Sequence, residues 1–480
     1  MIAAPARAPA AGRAFPHTAA ADSGWMRAQR RILICGAGSL GRALAEGLAR
    51  DGHLVTVVDH DPDRLAGLEA VADLRTVTGS ATSLRTLGGA GAAEADVVLA
   101  VTASDSANTL ICGLARRLGA AHAIARVRDG ELAEAASAIG LSHLGIDRVI
   151  SPEALAVEAV VRIIATPGAS DAVDLAGGTV AVRALLVAKD GALAGATVAE
   201  ARQRVPGDWL IAAVEAEGGW KVAGPGDRLA AGSRAYVCCP KSEVRRLVHA
   251  FDPAARPARS VLVIGSGAAA AQLARRLAVE GLETAILAGR GAPAERLAAE
   301  LDPLGVEVLA GTMQDADLLL RRAHAADVVA AAADDDEDNL MAALLVRARG
   351  LARVVVVANH GATVRLLHGL DLDALVSPRL LAASALLRLV RGRGVGDILR
   401  LSDERLDLIE VVVAHGSRAV RNPLRDLGLP RGSLALAVAR DGEVGLPRPD
   451  LPFQPGDRVV LIADHAHEAK ALALFEPAWS

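Results

Sequence analysis

Aromatic residues are scarce in this 480-residue chain, in which Phe, Trp and Tyr account for 2% of the sequence and Tyr236 is the one tyrosine. We therefore expect cores of aliphatic side chains, with alanine allowing helices to pack closely on sheets. Long apolar runs are also lacking, because no uninterrupted stretch reaches the roughly 20 residues that a membrane-spanning helix needs. The sequence thus predicts several aliphatic cores and no membrane span.

Cysteines and basic patches are few as well. Cys35, Cys112, Cys238 and Cys239 have neither metal-ligand nor paired spacing, which favours packed thiols in a reducing cytoplasm and no metal site. Cys238 and Cys239 adjoin in a predicted strand and should face opposite sides of the sheet. The net charge is −4 and the pI about 6.3, without a basic stripe, so nucleic acid is not expected as a partner.

The first 30 residues are rich in Ala, Pro and Arg and lack the compact apolar core of a secretion signal. We interpret residues 1–30 as a disordered N-terminal extension, or as the result of a start codon assigned too early.

The chain does contain a duplicated segment. RILICGAGSLGRALAEGLARDGHLVTVVD, Arg31 to Asp59, is matched by SVLVIGSGAAAAQLARRLAVEGLETAILA, Ser260 to Ala288. The two glycine motifs begin close to half the chain apart, at Gly36 and Gly265. A spacing this long indicates a duplicated domain, since solenoid repeats have periods of roughly 20–50 residues.

The first copy has the pattern of a dinucleotide-binding fingerprint. A predicted buried strand leads into a glycine-rich turn and a helix, and a second strand ends at Asp59. The residues of the turn are Gly36, Ala37, Gly38, Ser39, Leu40 and Gly41. Gly36 permits the tight turn, Gly38 lets the backbone approach a pyrophosphate, and Gly41 allows close helix–strand packing. The N–H groups at the helix start would attract the phosphates, and a purely structural glycine turn is the alternative.

Asp59 is expected to be an exposed carboxylate that accepts hydrogen bonds from both ribose hydroxyls. Its charge would repel a 2′-phosphate, which disfavours NADP. NAD(H), ATP and ADP all carry a free adenosine ribose, so the sequence leaves all of these nucleotides open as effectors.

Further candidate contacts follow the ends of predicted strands, where doubly wound sheets bind ligands. Thr82, Thr102 and Ser104 offer hydroxyl groups to the nucleotide, and Arg126 offers a cation to its phosphates. The alternatives are that Ser104 or Asp105 caps a helix and that Arg126 is a solvated arginine.

Each predicted Rossmann-like unit is followed by a Ser-Pro helix start, at Ser151-Pro152-Glu153 and at Ser377-Pro378-Arg379. Turn residues and alternating apolar strands follow each helix, which indicates a small α+β domain. The predicted class is α/β, with two Rossmann-like, doubly wound parallel-sheet domains, each followed by a small α+β C-domain. The predicted divisions are the extension 1–30, N-domain 31–150, crossover helix and C-domain 151–250, N-domain 259–376, and crossover helix and C-domain 377–477.

The order of these segments resembles the TrkA family of Trk-type potassium uptake regulatory subunits, which contain two pairs of RCK (KTN) N- and C-domains. The resemblance covers Arg31 to about Pro477. Its segments in the first half are GAGSLG with Asp59, VTASDSAN at Val101–Asn108, IARVR at Ile124–Arg128 and SPE at Ser151–Glu153. Those in the second half are DDDEDN at Asp334–Asn339, VVVAHGS at Val411–Ser417 and LPFQPGDRVVLI at Leu451–Ile462.

The resemblance implies a non-enzymatic cytoplasmic regulator that responds to NAD(H) or to ATP and ADP. It would associate with the inner face of the membrane through a potassium-translocating subunit of the TrkH or TrkG type, and form a homo-oligomer, a tetrameric ring. A regulator of another cation or anion transporter is an alternative. An NAD-dependent oxidoreductase would share the fingerprint, but no constellation of a hydride-transfer acid or base is visible in the sequence.

The second half departs from the fingerprint. Gly41, Asp59, Thr102 and Arg126 correspond to Ala270, Ala288, Ala333 and Val357. Without a ribose acceptor, a hydroxyl contact and a phosphate cation, this half should bind no nucleotide unless Arg290 or another group compensates. The acidic run from Asp334 to Asp338 is interpreted as a helix N-terminus with a solvated loop, and a divalent-cation site is the alternative.

Overall fold

The computed structural model describes residues 29–69, 74–128, 141–216, 219–312, 315–360, 363–364, 372–391, 395–400, 406–441 and 443–477. Apart from residues 29 and 30, the expected N-terminal extension lies outside these ranges.

The first half begins with a parallel six-stranded sheet in the order β3-β2-β1-β4-β5-β6. The strands are β1 (Arg31–Cys35), β2 (Leu54–Asp59), β3 (Leu74–Thr78), β4 (Val97–Ala100), β5 (His122–Arg126) and β6 (Arg148–Ile150). The helices are α1 (Ser39–Arg50), α2 (Pro62–Leu65), α3 (Leu84–Gly89) and α4 (Asp105–Leu118). The strand order reverses between β1 and β4, which is where doubly wound sheets bind ligands. We call this unit the first Rossmann-like domain.

A helix and an antiparallel five-stranded sheet follow, with the strand order β10-β9-β11-β8-β7. The strands are β7 (Ala169–Leu175), β8 (Val180–Leu186), β9 (Leu210–Ala216), β10 (Gly219–Val222) and β11 (Arg234–Pro240). The helices are α5 (Pro152–Ala165), α6 (Val198–Arg204) and α7 (Val244–Phe251). The strands and helices from β7 to α7 form the first antiparallel domain.

The second half repeats the plan, with a parallel sheet in the order β14-β13-β12-β15-β16-β17. Its strands are β12 (Ser260–Ile264), β13 (Glu283–Ala288), β14 (Glu307–Ala310), β15 (Val328–Ala331), β16 (Arg353–Val357) and β17 (Ala374–Val376). The helices are α8 (Ala268–Val279), α9 (Ala292–Leu301), α10 (Ala316–Ala325) and α11 (Asp336–Ala348). These elements form the second Rossmann-like domain.

The second antiparallel domain follows helix α12 (Pro378–Arg391) and has the strand order β18-β19-β22-β20-β21. Its strands are β18 (Val395–Arg400), β19 (Leu406–Val412), β20 (Ser433–Arg440), β21 (Glu443–Gly445) and β22 (Arg458–Asp464). Its helices are α13 (Arg418–Arg421) and α14 (Glu468–Leu472). The predicted fold class, two parallel Rossmann-like domains each with a small C-domain, is confirmed.

The cysteines are packed thiols, as predicted. All four are free and buried. Cys238 lies in the cluster that contains Val182 and Leu436, whereas Cys239 lies in the cluster that contains Leu247, so the two face opposite sides of their sheet. Burial raises the pKa of the Cys112 and Cys239 thiols to about 12, which keeps them protonated and unreactive at neutral pH.

The helices that follow the parallel sheets are exchanged between the halves. Helix α5 of the first half buries Val160 and Ile164 in one core with Leu273 of α8 in the second half. Helix α12 of the second half buries Leu386 in one core with Leu44 of α1 in the first half. Each Rossmann-like domain is therefore completed by a helix from the other half, which couples the two halves mechanically.

Arg353, at the start of β16, links the second Rossmann-like domain to helix α5 of the first half. Its guanidinium donates hydrogen bonds to the carbonyl oxygens of Ile163 (3.2 Å), Thr166 (3.3 Å) and Ala169, at and just beyond the end of α5. Burial lowers the pKa of Arg353 to about 10, so the side chain remains a cation at neutral pH. A cation suits the end of a helix, where carbonyl groups lack helical partners.

The two antiparallel domains also pack together. Tyr236 and Val182 of the first share a buried cluster with Leu436 and Val460 of the second. Glu410 is buried at this contact, where it accepts a hydrogen bond from the backbone N–H of Ala176 (3.1 Å) and pairs with Arg458. Throughout the described ranges, no helix combines the length and the apolar character needed to cross a membrane.

Candidate functional site

The first glycine turn connects β1 to α1 and contains three glycines with different structural demands. Gly36 has φ +112°, a conformation that favours glycine. A Cβ on Gly41 would lie 1.8 Å from the carbonyl oxygen of Gly36, so the helix can approach the turn only with glycine there. Gly38 has φ −64°, and a Cβ built on it would meet nothing within 4 Å. The fold therefore needs Gly36 and Gly41, whereas Gly38 borders open space.

Asp59 lies beneath this turn, at the end of β2. Its carboxylate accepts hydrogen bonds from the backbone N–H of Ala37 (2.6 Å) and of Asp61 (3.0 Å). The expectation of an exposed acceptor was wrong, because the side chain is only 5% exposed. The glycine turn folds over the carboxylate and uses it as an anchor. Asp59 is thus correctly placed beside the turn, but it also holds the turn in position.

The hydroxyls after β4 are engaged in local hydrogen bonds. Ser104 is the N-cap of α4 and accepts the backbone N–H of Ala107 at 3.2 Å, so the capping interpretation describes its contacts. The hydroxyl of Thr102 lies 2.7 Å from Oδ1 of Asn108. The Asn108 amide donates to the carbonyl oxygens of Thr102 (3.2 Å) and Arg126 (2.9 Å), which ties the ends of β4 and β5 together. Asn108 was not predicted as a site residue, and its contacts depend on its burial between these two strands.

Thr82 is exposed in the loop after β3. Its hydroxyl lies 2.8 Å from that of Ser80, and the contacts described for it are confined to this loop. Its assignment to the nucleotide site stays a prediction.

Arg126 is neither solvated nor isolated. It ends β5, its side chain is 19% exposed, and it forms an ion pair with Glu153 (3.4 Å), the first-turn glutamate of α5. Arg128 contacts the same carboxylate at 3.4 Å. Nε of Arg126 and Oε2 of Glu153 are both buried without a hydrogen-bond partner among the described residues. Buried polar atoms of this kind are costly, so both are suited to bind a ligand. Glu153 is a further candidate site residue, named from the sequence only as part of a helix start and of the SPE segment.

These groups border a cavity of about 930 Å³ between the two halves. The first half contributes Ser39, Leu40 and Arg126 to its wall, and the second contributes Asp334 and Arg379. The volume lies within the range of roughly 300–1,000 Å³ that is typical of small-molecule sites. The start of α1, where the first N–H groups of a helix lack helical acceptors, borders the same space. The arrangement can therefore hold an anion at a helix N-terminus, beside an arginine.

The second glycine turn is built on the same frame and lines the same cavity through Gly267, Ala268 and Ala269, but Asp334 closes it at Gly267. The Asn339 amide donates to the carbonyls of Ala333 (2.8 Å) and Val357 (3.0 Å), as Asn108 does in the first half, so the matching of the two halves is correct. A Cβ on Gly267 would lie 2.5 Å from Oδ1 of Asp334, whereas the matching Gly38 has open space. An acidic side chain thus stands over this turn, where an anionic ligand would be repelled. Arg290, the residue named as a replacement cation, pairs with Asp315 at 2.7 Å.

The acidic run forms a helix N-terminus, as interpreted. Asp335 caps α11 and accepts the N–H of Glu337 at 2.7 Å. Burial by itself would raise the pKa of Asp336, but hydrogen bonds from the backbone N–H groups of Asn359 and His360, each 2.8 Å, hold it below its usual range. These carboxylates therefore stabilise the start of a helix and the end of β16.

Two other groups lie outside the cavity. Tyr236, the single tyrosine, is buried in β11 and donates its hydroxyl to Asp171 at 2.8 Å. In the second antiparallel domain, Nδ1 of His465 lies 3.2 Å from Asp407 and 3.7 Å from Glu468. Asp407, His465 and Glu468 were not predicted from the sequence as site residues. Their ligand atoms lie close enough together to hold a metal ion.

Family models match both Rossmann-like domains and the second antiparallel domain. Residues 32–152 and 261–378 match the TrkA-N domain, and residues 408–476 match the TrkA-C domain. The Trk system potassium uptake protein TrkA of Haemophilus influenzae is 31% identical over 457 residues, which cover 93% of this chain and 99% of that protein. The protein of the same name from Vibrio alginolyticus is 30% identical over 456 residues, again covering 93% and 99%.

Solved structures share the fold at lower sequence identity. The crystal structure of the GsuK RCK domain has a TM-score of 0.58 and 22% identity, covering 93% of this chain and 95% of that chain. The GsuK channel bound to NAD has a TM-score of 0.57 and 20% identity, covering 93% of this chain and 79% of that chain. With two Rossmann-like domains, two antiparallel domains and relatives of this kind over nearly the whole chain, the chain belongs to the TrkA family of Trk system potassium uptake proteins.

Proposed function

We propose that the protein is a non-enzymatic, cytoplasmic, nucleotide-responsive regulatory subunit of a Trk-like potassium uptake system. It would gate a membrane potassium-translocating subunit of the TrkH or TrkG type. The observation that carries the proposal is the open space at Gly38, next to Ser39 and Leu40, which line a cavity walled by both halves. A ligand in this cavity would contact both halves of the chain at once. Such a ligand shifts a conformational equilibrium when it binds one arrangement of the two bodies more tightly than another.

The proposed effectors are NAD(H), ATP and ADP. Each has a phosphate chain for the start of α1 and a ribose for the neighbourhood of Asp59. The GsuK channel bound to NAD has a fold similar to that of this chain, which supports a nucleotide as the ligand class. NADP fits poorly, because a 2′-phosphate would approach the Asp59 carboxylate.

Reconstitution with the membrane subunit tests the proposal directly. Potassium flux into vesicles that contain the TrkH-type subunit should change on addition of this chain, and change again with NADH or ATP. The Gly38→Val variant is the matched control, because it should bind the membrane subunit yet not respond to nucleotide. The proposal would be contradicted if the potassium flux did not change on addition of the chain, or did not change with any of the four nucleotides NAD, NADH, ATP and ADP.

The Asp59→Ala variant should bind adenine nucleotides about tenfold or more weakly, since a charge-assisted hydrogen bond is worth about 1.5–3 kcal/mol. Because Asp59 also anchors Ala37, the Asp59→Asn variant serves as a control that keeps an acceptor for this N–H and loses the charge. Calorimetry with NADH, NAD, ATP and ADP measures the affinities, and thermal unfolding verifies the fold. Wild-type affinity in a folded Asp59→Ala protein, or NADPH binding as tight as NADH binding, would contradict the ribose assignment.

The oligomer should be a closed homotetramer, or a dimer that assembles further on its membrane partner. Leu110 on α4 is 50% exposed, and the matching Met341 on α11 is 51% exposed. Exposed apolar side chains at matching positions of both halves suit repeated contacts between copies of the chain. In light scattering, the Leu110→Glu/Met341→Glu double variant should form smaller particles than the wild type. The Val279→Glu variant, at an exposed position on α8, should not change the particle size. A monomeric wild type, alone and with its partner, would exclude the ring.

A further inference from the structure

An exposed histidine lies beside the buried acid at the end of β2. Nδ1 of His60 is 3.2 Å from Oδ1 of the Asp59 carboxylate. The side chain of His60 is 76% exposed, whereas that of Asp59 is 5% exposed. The imidazole is therefore the solvent-facing member of this pair. His60 was not predicted from the sequence as a site residue.

The other contacts of the Asp59 carboxylate are made by the backbone. Oδ2 accepts the N–H of Ala37 (2.6 Å), and Oδ1 accepts the N–H of Asp61 (3.0 Å). The acid at the end of the second strand of a dinucleotide-binding unit is the group that meets the adenosine ribose. Because the imidazole is the exposed group in contact with this acid, a ribose that binds at Asp59 also meets His60.

The charged groups around His60 lie on its own loop and on α1. Arg64 pairs with Asp61 at 3.4 Å. Arg42, on α1, donates to the carbonyl oxygen of Arg64 at 2.7 Å. The glycine turn and residues 79–82, which follow β3, contain no charged side chain. The charge on the imidazole is therefore set mainly against the carboxylate at the end of β2.

The contact with Asp59 determines what the other ring nitrogen of His60 can do. A carboxylate only accepts hydrogen bonds, so it favours a proton on Nδ1. In the neutral imidazole, Nε2 is then an acceptor for a hydroxyl group. In the protonated imidazole, Nε2 carries an N–H and the ring is a cation, which suits a phosphate. Histidine side chains ordinarily change between these two forms between about pH 8 and pH 5.

We propose that His60 contacts the 2′ position of the adenosine ribose, and that its charge decides between a 2′-hydroxyl and a 2′-phosphate. This rests on the proposed nucleotide function, in which Asp59 lies at the ribose. At higher pH the neutral imidazole accepts the 2′-hydroxyl, and the Asp59 charge repels a 2′-phosphate. As the pH falls, protonated His60 offsets that charge and attracts the phosphate. Discrimination against NADP is thus a property of the pair.

Calorimetry on the full chain with NAD and NADP, at about pH 8 and about pH 6, tests this assignment. For the wild type, NADP should bind at least about tenfold more weakly than NAD at the higher pH, and this ratio should fall at least about threefold at the lower pH. His60→Arg carries a permanent charge and should bind NADP at least about tenfold more tightly than the wild type at the higher pH.

Two further variants serve as controls. The 2′-phosphate itself gains a proton near about pH 6, and His60→Gln measures that contribution alone. In His60→Gln the ratio should therefore change less with pH than in the wild type. NAD should bind this variant about two- to fivefold more weakly, because glutamine offers the same acceptor on a more flexible side chain. His143→Gln removes another exposed histidine of the same domain and should keep the wild-type pH dependence.

The outcomes separate this inference from the proposed function. If the wild type binds none of NAD, NADH, ATP and ADP, the proposed function fails and takes this inference with it. If the wild type binds ATP but not NAD, or binds NAD while NADP stays undetected at both pH values, the proposed function stands and only the role of His60 is overturned. An equal pH dependence in the wild type and a folded His60→Gln variant, or unchanged NADP affinity in His60→Arg, would overturn it as well.

Discussion

Gly38→Val should abolish nucleotide binding while the protein stays folded. The backbone of Gly38 has an ordinary negative φ, and a Cβ added to it would meet no atom within 4 Å. The valine would therefore occupy the position where a pyrophosphate must approach the turn, at little cost to the fold. Equilibrium binding of radiolabelled ATP and NADH should fall below detection in the variant, with an unchanged melting temperature. Tight binding by a folded Gly38→Val protein would mean that the ligand uses a different place.

The matched variant in the second half is Gly267→Val. A side chain there would collide with Asp334, yet binding in the first half should persist, because the second turn is already closed. Saturation binding to the wild type should accordingly give about one nucleotide per chain. Two nucleotides per chain of comparable affinity would show that the second half binds by another scheme, despite Ala270, Ala288 and Val357 at the matching positions.

Arg353→Leu should lower the free energy of unfolding by about 2–4 kcal/mol, because it leaves carbonyl groups at the end of α5 without their charged donor. The exchange of helices should loosen as a result, since Arg353 joins the second Rossmann-like domain to a helix of the first half. Chemical denaturation followed by circular dichroism measures the change. Arg349→Leu, on an exposed position nearby, is the control and should have an effect within about 0.5 kcal/mol. Equal stability of both variants would show that the contacts of Arg353 with the end of α5 do not stabilise the fold.

The sequence alone determined much of the architecture. The apolar run before Gly36, the helix after it and the strand that ends at Asp59 follow from short-range periodicity, and the structure contains all three. The matching of Asn108 to Asn339 also holds, because each makes the same pair of carbonyl contacts. Ser151 caps its helix as predicted. Glycine turns, caps and strand periods are local properties, so a linear pattern is enough to identify them.

Only the tertiary structure decided how the halves cooperate. No local pattern shows that α12 lies on α1, that residues of both halves line one cavity, or that Asp334 closes the second turn at Gly267. The burial of Asp59 was likewise missed, because it depends on a turn that folds back over the end of β2. Each of these contacts joins residues that are distant in the chain but close together in space. The sequence therefore determined which residues are candidates to bind a nucleotide, whereas long-range packing decided that residues of both halves line one cavity.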